Sequence, residues 1–168
     1  EVERILREQG QGGLLFAARA KSPSPFPGRA VAVLPALAET PKGYDGLNLT
    51  LANNLRAELQ RQRDLIVINE AATKEALTKI SGKLTARHNI QALGNALGVQ
   101  GVVITQVIPP GRKDSSGYLV MEVYETFLGT LVKNFLEPAP PGAFNIEAAQ
   151  QAAKRDAGLV ADQIRSLD

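Results

Sequence analysis

The chain has 168 residues, 44% of them apolar and only 5% aromatic, so it can bury a core built mainly from Leu, Val, Ile and Ala. Cys and Trp are absent, which removes disulfides, thiolate nucleophiles and thiolate metal sites. The net charge of +2 comes from basic residues scattered among nearly as many acids, whereas a nucleic-acid face needs clustered Lys and Arg, so no nucleic-acid partner is expected.

At the start of the chain, Val2, Ile5 and Leu6 have helical spacing that Gly10, Gly12 and Gly13 would end. Leu14, Leu15 and Phe16 follow as a short apolar run, and then Pro23, Pro25 and Pro27 forbid helix and favour an extended linker. Residues 1–28 are therefore read as an N-terminal extension with a Pro-rich linker, and residues 29–168 as a single mixed α/β domain. No apolar run reaches the ~18–20 residues needed to span a bilayer. The chain opens with Glu1, and any signal peptide or lipid-anchor cysteine is expected upstream of it, so membrane association would come only through such an anchor.

Residues 30–34 are continuously apolar between Gly28 and Pro35, the mark of a strand buried on both faces. A polar loop at 36–46 leads to Leu47, Leu51, Leu55 and Leu59, whose spacing of four predicts a helix running to about Arg63. Residues 65–68 form a short β-branched strand, and Asn69 can cap a helix carrying Ala72, Ala76, Leu77 and Ile80 that Gly82 stops. Asn89 reads as a second cap, before Ile90, Leu93 and Leu97, with Gly98 at the left-handed C-terminal position. Residues 99–108 give the strongest strand pattern and end at Pro109-Pro110-Gly111. A polar loop at 112–117 precedes strands at 118–127 and 130–136 around Gly129, a hairpin. Pro138 to Gly142 reads as a rigid connector, and residues 146–167 as a closing helix.

The expected fold class is thus α/β (α+β), with order β-α-β-α-α-β-β-β-α. A two-layer or three-layer arrangement packs the helices on a mixed sheet of about five strands, the early pairs parallel and the hairpin antiparallel. The periodicity assigns the core to Val31, Val33, Leu51, Leu55, Leu59, Ile66, Ile68, Leu93, Leu97, Val102, Ile104 and Val123.

Little in the sequence converges on catalysis. His88 stands alone between Arg87 and Asn89 and reads as an exposed loop residue, neither ligand nor base. Gly10-Gln11-Gly12-Gly13 lacks the strand before it and the Lys-Ser or Lys-Thr after it that a phosphate loop requires. Glu70 and Glu75 alternate with Lys74 and Lys79 as on a solvated helix face, and Glu122 and Glu125 point to opposite faces of a regular strand. Arg56, Arg61 and Arg63 also read as a solvated face near a helix end. No catalytic residue, metal site or cofactor is expected.

Val31-Ala32-Val33-Leu34-Pro35, followed by a helix with Leu51-Ala52-Asn53-Asn54-Leu55, resembles the opening of the bacterial envelope domains of the CsgG, LpoB and TolB amino-terminal superfamily. Those domains run "VAVLPF", a helix and a short strand with "VVER", the place taken here by Leu65-Ile66-Val67-Ile68-Asn69-Glu70. A helix ending in "LG" and a strand like "GADAVVVGRV" follow, and Leu97-Gly98 with Val99 to Val107 is similar. Glu125-Thr126-Phe127-Leu128-Gly129 is a degraded match to a "DxxTG" turn. The departures are Ala36 for an aromatic, Gln100 for Asp, Thr105 for Gly and Leu128 for Thr. The resemblance spans roughly residues 29–137 and implies a periplasmic protein, outer-membrane-associated in its full-length form. Its role would be protein binding in secretion or envelope assembly, with activation of a cell-wall synthase as the alternative.

The hairpin is the expected binding element, since a sheet edge offers unpaired amides and carbonyls to an envelope partner or to a second copy. Tyr118, Tyr124, Phe127, Thr130, Val132 and Asn134 are the candidate interaction residues. A competing reading from a different class is a small-ligand or enzymatic domain using the loops at 36–46 and 109–117, at the C-terminal ends of the parallel strands.

Overall fold

The computed structural model describes residues 29–112 and 114–167; the expectations for the extension and linker at 1–28 lie outside them. Strand β1 (Arg29–Pro35) leads through a short 3-10 turn (Leu37–Glu39) into helix α1 (Asp45–Leu59) and strand β2 (Leu65–Val67). Helices α2 (Glu70–Leu77) and α3 (Arg87–Leu97) come next, then strands β3 (Gly101–Ile108), β4 (Gly117–Glu125) and β5 (Thr130–Ala139), and finally helix α4 (Ile146–Arg165). The element order is the one the periodicity predicts. The sheet order is β2-β1-β3-β4-β5, with β1 parallel to β2 and to β3, and with β3–β4 and β4–β5 antiparallel.

The connectivity decides where the helices lie. From β1 the chain steps one way to β2 and then back across β1 to β3. Crossovers of one hand that step in opposite directions must pass over opposite faces. Accordingly α1 covers one face and α2 with α3 the other, and α4 returns beside α1. The result is three layers with a core on each side of the sheet. Val31, Val33, Val103, Met121 and Val123 pack under α1 and α4; Ala30, Ala32, Leu34, Val102 and Ile104 pack under α2 and α3. Alternate residues of β1 thus feed both cores, and all six from Ala30 to Ala36 that carry apolar side chains beside Pro35 are buried. On α4, Ala149, Ala152, Ala153, Ala157 and Ala161 form a buried small-residue stripe that lets it lie close against α1.

Of the expected core residues, Ile66 and Leu97 are only half-buried, each packed at the margin of the second core, while the others are buried. Asn69 caps α2 as expected, accepting from the Ala72 amide at 2.8 Å, and Gly98 ends α3 with φ of +70°. Asn89 corrects the expectation for a second cap: α3 starts at Arg87 behind Ala86, and His88 lies in its first turn, exposed. The buried Asn89 amide instead donates to the carbonyls of Ser81 (2.9 Å) and Lys83 (2.7 Å), closing the α2–α3 loop.

Strand β5 also extends beyond the expected end at residue 136 and takes in Pro138 and Ala139, the start of the expected connector. As the outermost strand, β5 needs ladder bonds on one side only, so a residue without an amide proton is tolerated there. Leu55 is fully buried in the first core. Leu55→Ala is expected to cost about 2–5 kcal/mol in denaturant melts. A loss below about 0.5 kcal/mol would show that the α1 face is not packed as described.

Candidate functional site: an open sheet face

Helices α2 and α3 are short, and on their side of the sheet they pack on β1 and β3. Strands β4 and β5 are reached by a helix on the other side, where α4 packs on both. Cross-strand register places Ile108, Tyr118 and Pro138 in one row of the uncovered face, Gln106, Val120 and Leu136 in the next, and Ile104, Glu122 and Asn134 in a third. Ile108, Tyr118 and Leu136 keep 49%, 38% and 48% of their surfaces exposed. Leu131 and Val132 extend this apolar surface at the turn end, where Val132 is the extra residue of a bulge opposite Val123 and Tyr124. Clustered exposure of large apolar side chains, unlike scattered single ones, marks an interaction surface.

The candidate residues separate accordingly. Tyr118 lies on the open face, Val132 and Asn134 are exposed on β5, and Thr130 and Phe127 are half-buried at the turn. Tyr124 is only 6% exposed and belongs to the second core, so its ring is not available as a surface anchor. Its hydroxyl meets Thr85 and the Glu122 carboxylate (3.3 Å), and burial first, then the charge and hydrogen bond of Glu122, push its pKa up. The β4–β5 turn is held by Glu125, whose carboxylate accepts from the amides of Phe127 and Leu128, and by the Thr126 hydroxyl donating to the Val99 carbonyl at 2.7 Å. Gly129, at φ of +70°, closes it against α3, where a Cβ would lie 2.5 Å from the Arg87 carbonyl oxygen. Glu122 and Glu125 do lie on opposite faces, by register.

At the C-terminal end of β1, where the strand order switches direction, a cavity of about 210 Å³ opens between Pro35–Glu39 and Leu77, Ile80, Gly82 and Leu84. Its walls are apolar except for Glu39. The loop at 109–117 does not line it; the two loops meet instead at Phe144, whose ring lies 5.5 Å from that of Tyr44 and packs against Gly117. No group of three or more His, Cys, Asp or Glu residues arranged to hold a metal occurs among the described residues.

Three polar groups that sequence reasoning placed elsewhere or passed over prove to be buried. Arg56, read as part of a solvated face, is 6% exposed. Because β2 is only three residues long, the β1 edge beyond it lacks a strand partner, and the Arg56 guanidinium donates to the Val33 carbonyl there at 2.6 Å. Its pKa is lowered by burial, which nearby Glu70 opposes. Asn48 accepts from the Thr105 hydroxyl (2.7 Å) and donates to Thr40 (2.9 Å), tying α1 to β3. Asp156 on α4 is 5% exposed, and its Oδ2 has no partner.

The fold and the open face define a three-layer α/β domain with one side of its sheet half covered. No protein-family model and no curated sequence matches the chain. Among solved structures, the lipoprotein GNA1162 from Neisseria meningitidis is similar at a TM-score of 0.52 and 14% identity, over 83% of this chain and 99% of that one. This likeness establishes a shared fold. TolB from Acinetobacter baumannii is similar at a TM-score of 0.48 and 17% identity; the match covers 82% of this chain but 29% of TolB. The LpoB C-terminal domain from Salmonella enterica is similar at 0.46 and 13% identity, over 75% of this chain and 93% of that domain.

Asp156 supplies a test of the packing beneath β5. Burial first, then the hydrogen bond and charge of Glu137, push its carboxyl up to about 6, against the opposing charge of Arg155. A folded-state pKa above the unfolded one favours the protonated form, so this contribution to stability is complete below about pH 4, falls as pH rises and is lost above about pH 6. Asp156→Asn is expected to raise stability by about 1–2 kcal/mol at pH 7.5, allowing for solvent screening, and to leave it nearly unchanged at about pH 4. Urea melts at both pH values check this, and equal effects at the two would contradict it.

Proposed function

We propose that this chain is a non-enzymatic protein-binding domain of the bacterial cell envelope, acting in the periplasm in secretion or envelope assembly. The open face of β3–β5 is its working surface. The observation that carries this reading is the pair of adjacent rows bearing the exposed apolar side chains Ile108, Tyr118 and Leu136, on a sheet face that no helix of the described residues covers. The compartment is supported by the motif resemblance and by the fold shared with a lipoprotein. No helix among the described residues is long and apolar enough to cross a membrane.

The face is a better docking surface than the bare edge of β5. Lys133, Pro138 and the bulge at Val132 are the devices by which edge strands discourage further pairing. An aromatic ring beside aliphatic side chains on a firm sheet is the composition of an interface centre.

A photo-cross-linking residue at position 118 or 136 of the full-length protein, expressed in its source bacterium, tests the proposal. One discrete adduct with an envelope protein is expected from both positions, and none from position 61 on the exposed end of the α1 turn. Adducts that do not differ between the three positions would contradict it.

A further inference from the structure

The open face carries charge as well as apolar surface, and the charge is of one sign at its inner end. Glu122 lies in the third cross-strand row, beside Asn134 and hydrogen-bonded to the Gln106 amide. Glu39 stands at the mouth of the apolar cavity. Leu34, Ile104 and Glu122 share one cross-strand row, and β1 runs from Leu34 directly into the Pro35–Glu39 wall of the cavity, so Glu122 and the cavity adjoin; the charges of both acids also raise the pKa of the Tyr124 hydroxyl. Neither forms an ion pair with a Lys or Arg of the described residues, although Glu70, Glu137, Asp64 and Asp162 all do. The cavity, the two acids and the Ile108–Tyr118–Leu136 rows therefore follow one another as a single surface: apolar, then acidic, then apolar.

We propose that this surface seats a segment of a partner protein in which Lys or Arg alternates with large apolar side chains. Apolar side chains would enter the cavity and lie on the outer rows, and the cations would meet Glu39 and Glu122. An acidic segment would put like charges together on a partly desolvated surface, which is costly, so the acids select against it. A second copy of this chain fits less well, because an isologous contact centred on this face would set its own carboxylates against each other. The inference names the partner chemistry of the surface proposed above and rests on that reading.

The probes are a fluorescein-labelled peptide alternating Lys with Leu around one Phe, and its counterpart with Glu for Lys, followed by anisotropy against the folded full chain. Saturable binding of the Lys peptide alone is expected. Glu39→Gln combined with Glu122→Gln should weaken it about tenfold, as should Leu136→Ala, while Glu147→Gln on the far side of the sheet should not. Thermal melts confirm that each variant is folded. Equal binding of both peptides, no saturable binding of the Lys peptide, or binding indifferent to the double substitution would overturn the proposal. Sedimentation showing a dimer that Leu136→Asp dissolves would overturn it too, by assigning the face to a second copy. If these tests fail while positions 118 and 136 still cross-link to an envelope protein, the partner chemistry is wrong and the docking face stands.

Discussion

Strand β1 is apolar on both faces, and this one constraint organises the molecule. Ala30, Ala32 and Leu34 must be covered from one side of the sheet and Val31 and Val33 from the other. A single helical layer cannot do this. The step from β1 to β2 and back to β3 meets the demand by sending α1 over one face and α2 with α3 over the other. The two layers differ in reach. On the first face α1 and α4 together cover the sheet out to β5, whereas α2 and α3 have eight and eleven residues and cover its β1–β3 half and, on β4, only the end at Tyr124. The open surface on β3–β5 is what this unequal cover leaves, and the proposed function is a use of it.

The parts of the fold legible in the sequence are those set by local period. The four leucines of α1, the continuous run of β1, the cap at Asn69 and the stop at Gly98 each require only neighbouring residues to be recognised. What could not be read depends on distant partners. Asn89 has the composition of a cap, but its amide bonds back to Ser81 and Lys83, and only the closed α2–α3 loop brings those carbonyls to it. Arg56 looks like any helix-end cation; its burial follows from β2 stopping early and exposing the Val33 carbonyl. Pro138 reads as a breaker until the sheet order makes β5 an edge. Asp156 sits in an Ala-rich helix whose sequence does not reveal Glu137 opposite it.

The candidate site divides in the same way. The sequence places the hairpin at the end of the sheet and makes it the expected binding element from its aromatics, and the structure puts β5 at the sheet edge. Which rings face outward was not legible, because alternation assigns Tyr118 and Tyr124 to the same face and only the position of α3 separates an exposed ring from a buried one. Leu136 and Ile108 were passed over because, in a strand read alone, an apolar residue suggests core. Three of the four departures from the resembled motifs are absorbed locally: Thr105 bonds Asn48, Gln100 accepts from the Ala30 amide at 2.7 Å, and the small Ala36 lines the cavity, while Leu128 stands exposed at the β4–β5 turn.

The absence of cysteine allows a direct test of the unequal cover. Single cysteines placed at 108 and 136 on the open face, and at 104 and 121 under the helices, can be compared by their rates of reaction with a charged maleimide in the native protein. The expected result is reaction at 108 and 136 within about tenfold of an unfolded control, with 104 and 121 slower by several orders of magnitude, because they react only through unfolding. Protection at 108 and 136 as strong as at 121, in protein shown to be monomeric, would mean that another part of the chain covers this face and would contradict the open surface.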